Sequence, residues 1–180
     1  QVIQRFFQSI GYFNRPFSAG IFLILILMLF SFYFLSLFLA SKQKLTEKDV
    51  WKIIIFVSAI LFFSYNAFSY DLFNYIFDAK ILTFYNQNPY LHKALDYPSD
   101  PMLSFMHWTH RTYPYGPFWL LFTVPLSFIG FGYFLLTLYL FKMLAFGSFI
   151  GSVFFLEKIL KQLDIKNKVF PLVFFALNPL

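Results

Sequence analysis

Asp71, Asp78, His92, Lys93, His107, His110 and Arg111 all fall in one stretch, residues 71–116, and with the nearby tyrosines they hold most of the chain's chemical potential. Asp71 stands out by position. It directly follows the uncharged run Ile53–Tyr70, so its carboxylate sits where an apolar medium gives way to water. A carboxylate there can act as a general base if it reaches a bound hydroxyl. It can equally cap the helix that follows, a task Asp performs well, and the residues alone leave both readings open. If 71–80 is helical, Tyr75 (four residues on) and Asp78 (seven on) share the face of Asp71.

The other candidates divide in the same way. His107 and His110 have the i, i+3 spacing that can share a metal, but with no well-placed third ligand interfacial hydrogen bonding is the simpler role. Arg111 and Lys93 could neutralise a phosphate, Arg by a bidentate contact, or could meet lipid headgroups. Lys142 lies within an apolar run, where a charge is costly unless it faces a bundle interior or water. It could contact a lipid phosphate or serve helix packing. The tyrosines and Trp108 could stack on a sugar ring or form an aromatic belt.

The elements that must position these residues are apolar helices. Of 180 residues, 59% are hydrophobic, 25% aromatic and 12% charged, against roughly 45–50% apolar and 25% charged in soluble domains. The 30 Phe residues exceed what a soluble core of this size could hide. No residue from Phe17 to Ala40 is charged, and that run is too long for the apolar core of a signal peptide. Five spans are expected, at about 17–40, 53–70, 117–129, 133–156 and 169–180, making residues 1–180 the N-terminal part of a single transmembrane domain. The chain opens on Gln and stops inside a helical pattern, and is expected to be a piece of a longer protein.

Between the second and third spans, prolines at 89, 98, 101, 114 and 117 break residues 71–116 into rigid turns. Short interfacial helices are expected at about 72–85 and 101–110. The fold class predicted is therefore all-α, a polytopic bundle with a long extracytoplasmic loop. Lys42, Lys44, Lys48 and Lys52 place the first connection in the cytoplasm and the 71–116 loop outside. Lys158, Lys161, Lys166 and Lys168 also look cytoplasmic, yet they would lie outside if both 117–129 and 133–156 cross. The chain has no Cys, which excludes disulfides and thiolate metal sites. The net charge of +6 sits mostly in short connections, not on a solvated basic face, so no nucleic acid is expected as a partner.

The order of residues in the loop carries a family resemblance. Asp71-Leu-Phe-Asn-Tyr75 is followed by Asn88-Pro89-Tyr90, a Pro/Asp stretch from Pro98 to Pro101, Trp108, and Tyr113-Pro-Tyr-Gly-Pro117 leading into the next span. This set resembles the first extracytoplasmic loop of the GT-C glycosyltransferases, and is most similar to the bacterial polyprenol-phosphate-mannose-dependent mannosyltransferases. Asn178-Pro179-Leu180 resembles a later span of that family.

The resemblance implies a multi-pass cell-membrane enzyme that transfers a sugar, here mannose, from a polyprenyl-phosphate donor to an extracytoplasmic glycan or lipid acceptor with inversion. It implies that Asp71 is the catalytic base, with Tyr75, Asp78, Asn88, Tyr90, Arg111, Tyr113, Tyr115 and Lys142 binding substrate. Leu72 stands where some members carry a second acid, so no metal and no other cofactor is expected. Membrane lipid, the donor and the acceptor are the expected partners. A transporter or lipid-linked sugar flippase is the rival reading; it should show polar residues within spans and internal repeats. Lys142 is the lone charge of that kind, and no repeat is visible.

Overall fold

The computed structural model describes Phe6 and residues 9–65 and 69–179, and every observation below is of these. They are all-helical. A π-helical turn, Ser9–Phe13, precedes α1 (Arg15–Ser41), α2 (Glu47–Phe63), α3 (Asp71–Thr83), short 3-10 turns at Ala94–Asp96 and Pro101–Phe105, α4 (Pro117–Ile129), α5 (Phe134–Gln162) and α6 (Val169–Ala176). Among the described residues no strand forms; a single antiparallel bridge joins Lys93 to Thr112. The chain divides into two compact units, residues 1–56 with 152–180, and residues 57–151.

In the first unit, α1 starts where the Asn14 side chain accepts a hydrogen bond from Phe17 N–H and Pro16 takes the first turn. Its 27 residues reach ~40 Å, and it and the 29-residue α5 are long and apolar enough to cross a membrane. α1 packs on α6: the Tyr33 hydroxyl donates to the Phe174 carbonyl at 3.0 Å, and Asn167 Nδ2 donates to the Ala40 carbonyl at 3.1 Å. α2 opens on a capping box, with Thr46 and Asp49 each accepting from the other's backbone N–H. This cap starts the helix at Glu47, earlier than the run at 53–70 suggests, and the helix ends at Phe63; residues 66–68 lie outside the described set.

In the second unit, α3 is the central element. Phe73, Ile76, Phe77, Ala79 and Ile81 are buried, and Ala94, Met102 and Met106 from the following segment join Phe141 of α5 around them. The segment after α3 is therefore core-forming rather than a tether. The helix expected at 101–110 is only the 3-10 turn Pro101–Phe105: Met106 is extended, and Thr109 uses its carbonyl to accept from Leu95 N–H.

α4 and α5 meet at Gly130. A Cβ there would lie 2.0 Å from Thr137 Oγ1, a buried hydroxyl bonded to the Tyr133 carbonyl. Gly130→Ala should therefore cost roughly 1–3 kcal/mol by overpacking. Thermal unfolding of the detergent-solubilised protein checks this, and adding Thr137→Ala should recover most of the loss.

Candidate active site

Asp71 is the first residue of α3, and the cap position before it is Tyr70, which makes no side-chain cap bond. Ser69 Oγ accepts from Asp71 N–H at 3.1 Å. The carboxylate is half-buried, and among the described residues it has no hydrogen bond or ion pair. It therefore favours the helix start through the dipole, yet stays open to a ligand.

Tyr75 lies one turn on. Its hydroxyl donates to Tyr115 Oη at 3.4 Å, and its ring meets Tyr115 and Trp119 edge-on at 5.4 and 5.5 Å. Burial, the Tyr115 hydroxyl and the Asp71 charge push the Tyr75 phenol up, with Arg111 acting in the opposite sense. The Arg111 guanidinium lies 5.8 Å from the Trp108 ring and 5.7 Å from the Tyr115 ring, so two aromatic faces hold a cation beside Tyr75.

Two further turns of backbone fix these side chains. Tyr113 N–H donates to the Pro89 carbonyl at 2.9 Å, and the buried Tyr113 hydroxyl donates to the Gly116 carbonyl. The Tyr90 hydroxyl donates to the Tyr115 carbonyl at 3.0 Å. Asn88 shapes this junction: its Oδ1 accepts from Tyr90 N–H, and its carbonyl accepts from Leu91 and His92 N–H. Burial, together with the charges of Tyr90, Asp78 and Tyr115, pushes the Tyr113 phenol up to about 12.

Asp78 is buried, 7% exposed, and its carboxyl is pushed up to about 7 by burial, which outweighs the opposing pull of Arg111. A carboxyl raised on folding favours the fold fully below its unfolded value near 4, and this contribution fades as pH rises to about 7. Asp78→Asn should thus raise stability above pH 7, by roughly 1–4 kcal/mol, and change little near pH 4. Thermal melts across pH 4–8 test this sign.

Six of the residues expected at the site therefore come together: Asp71, Tyr75, Asp78, Arg111, Tyr113 and Tyr115. Tyr90 and Asn88 support them. Lys142 does not join them. Its ammonium donates to the Phe62 carbonyl at 2.9 Å and to the Ser64 carbonyl, closing the C-terminal end of α2. The histidines separate: His92 faces Asp96 at 3.6 Å, His107 stacks on Tyr70 at 4.0 Å, and His110 meets Trp108 edge-on.

Sequence reasoning missed three groups. Asn74 Nδ2 donates to the Trp108 carbonyl while its buried Oδ1 has no partner, and Trp119 Nε1 is likewise buried and unpaired. Asn74 carried one weak signal, since it lies three residues from Asp71. Lys80 and Asp100, paired at 2.5 Å, carried none, being 20 residues apart. A hollow also opens at the far end of α3, between Lys80, Thr83, Phe84, Ser127, Phe131 and Phe134. None of the expected site residues lines it, and its cation is already neutralised by Asp100. The Asp71 end, ~18 Å away along the helix, holds the open carboxylate.

Residues 4–180 match the family model described as alpha-(1->6)-mannopyranosyltransferase, N-terminal domain, of the MptA_B family. The chain belongs to this family, and it is a glycosyltransferase of the mannosyltransferase kind. The two long apolar helices accord with a membrane protein. No curated protein and no solved structure matches the chain significantly.

Proposed function

We propose that the enzyme transfers mannose from a polyprenyl-phosphate donor to the hydroxyl of a glycan or lipid acceptor, on the extracytoplasmic side of a multi-pass membrane domain, with Asp71 as general base. The observation that carries this reading is the Asp71 carboxylate, half-buried and unpaired among the described residues, one helical turn from a Tyr75–Tyr115–Trp119 platform with Arg111 beside it.

In this scheme Asp71 takes the proton from the acceptor hydroxyl, and the oxygen attacks the anomeric carbon from the face opposite the phosphate. The C1–O bond to phosphate breaks, its electron pair leaves with the lipid phosphate, and the anomeric configuration inverts. The phosphate is a good leaving group, so this differs from hydrolysis by two carboxylates in needing no second acid. Arg111 opposes the charge that develops on the phosphate, and the tyrosine and tryptophan rings face the sugar. Lys142 has no part in this scheme as drawn, because its donors close α2. With Leu72 after Asp71, the transfer is proposed to need no metal.

The test is an assay of the full-length protein in membranes with a panel of labelled polyprenyl-phosphate sugars. Mannose should be transferred in preference to glucose, galactose and arabinose, and the product linkage should be inverted relative to the donor. Retention of configuration would contradict the single-displacement scheme.

A further inference from the structure

Asn74 is buried in α3, 2% exposed, three residues after Asp71 and four before Asp78. An amide there does little for the helix itself: Asn is a poor helix former, and the Oδ1 has no partner. The Nδ2, however, reaches a residue 34 positions away and donates to the Trp108 carbonyl at 3.1 Å. The Trp108 ring is 48% exposed, so its place is set by the backbone that carries it. Trp108 in turn supports Arg111. Among the described residues no hydrogen bond or ion pair holds the Arg111 guanidinium; it rests against two rings, Trp108 at 5.8 Å and Tyr115 at 5.7 Å. Both rings are tied to α3 by consecutive residues, Trp108 through Asn74 and Tyr115 through the Tyr75 hydroxyl at 3.4 Å. Asp71 begins the same helix, so one rigid element sets the carboxylate and the cation relative to each other.

We infer that Asn74 is a positioning residue for sugar transfer: by holding Trp108 it keeps the Arg111 guanidinium beside the Tyr75–Tyr115 pair, where it meets the phosphate of the donor. The inference rests on the function proposed above, in which Arg111 opposes the charge developing on that phosphate. Asn74 itself touches neither donor nor acceptor. Without its amide the Trp108 peptide is free to turn, and the ring turns with it. Arg111 then loses one of its two aromatic faces, and its long flexible side chain spends less time at the phosphate. The Arg111 charge acts on both Tyr75 and Asp78 of the same helix, which marks how near α3 it is held. A neutral amide suits the task, because a carbonyl needs a donor and an ionised carboxylate in its place could only accept.

The test measures transfer from labelled polyprenyl-phosphate-mannose by the full-length protein in membranes. Asn74→Ala should lower kcat/KM for the donor by about 10–100-fold, with the acceptor KM close to that of the parent. In an Arg111→Gln background the same change should cost less than about twofold, because the residue it acts through is gone. A loss of equal size in both backgrounds, or no loss in either, would overturn the inference, as would full activity in Arg111→Gln alone. Asn74→Asp covers the case in which Asn74→Ala fails to fold, since it keeps the shape of the side chain. Its ionised carboxylate cannot donate to the Trp108 carbonyl, whereas the protonated acid can. The activity of Asn74→Asp relative to the parent should therefore rise as pH falls, and a ratio that stays flat or drops would overturn the inference too. Additivity of Asn74 and Arg111 would leave Asp71 as the base, and full activity in Asp71→Asn would leave the Asn74–Arg111 coupling intact, so the two failures are distinguishable.

Discussion

Replacing Asp71 with Asn is expected to lower mannosyl transfer from polyprenyl-phosphate-mannose by about 10²–10⁴-fold, the range a positioned general base contributes. The substitution keeps size and polarity, and the backbone N–H that bonds Ser69 Oγ is untouched. Asp71 is not the cap residue of α3 and has no hydrogen bond or ion pair among the described residues, so folding should be little affected. The loss should fall on kcat, with the amount of protein in the membrane and the apparent donor affinity close to those of the parent. That split identifies a residue acting on the reacting hydroxyl. Full activity in this variant would remove Asp71 from the mechanism.

The second large effect concerns stability. Asp100 is buried, its side chain 1% exposed, and it takes a hydrogen bond from Lys80 at 2.5 Å, from the Tyr85 hydroxyl at 2.7 Å and from Met102 N–H at 2.9 Å. Through Met102 it also caps the 3-10 turn Pro101–Phe105. Asp100→Ala leaves an ammonium, a phenol and an amide unpaired in the core, and removing one partner of a buried pair costs about 3–5 kcal/mol. Thermal unfolding in detergent should show this loss. Lys80→Met combined with Asp100→Asn should be much milder, because Asn still accepts from Met102 and no charge remains buried.

The pH dependence runs opposite to that of Asp78. Burial alone would raise the Asp100 carboxyl, but the Lys80 and Tyr85 bonds hold it below its ordinary value. Its contribution is therefore present above pH ~4 and lost as pH falls further. Asp78 weakens the fold as pH rises toward 7. Wild-type protein should therefore be most stable in mildly acidic conditions, and Asp78→Asn should extend that plateau upward.

The sequence by itself determined the helical character and the identity of the reactive stretch. Long uncharged runs such as Phe17–Ala40 leave few options but apolar helices, because an unpaired backbone is too costly in an apolar medium. Asp71, Tyr75 and Asp78 were legible as one face because helical spacing is a local property, and α3 keeps it from Asp71 to Thr83. The ordered set from Asp71 to Pro117 also made the family visible.

Tertiary structure decided what spacing cannot encode. It brought Arg111 and Tyr115, some 40 residues away, to Tyr75, through backbone bonds such as Tyr113 to Pro89. It withdrew Lys142 from the site by giving its ammonium the carbonyls at the end of α2. It paired Lys80 with Asp100 across a fold of the chain that no periodicity announces. For the reactive stretch itself, the sequence supplied the carboxylate, and packing left that carboxylate without a partner among the described residues while pairing or burying the others. Local pattern fixes which face a residue takes on its own helix; its partners are set by which distant segments the core draws together.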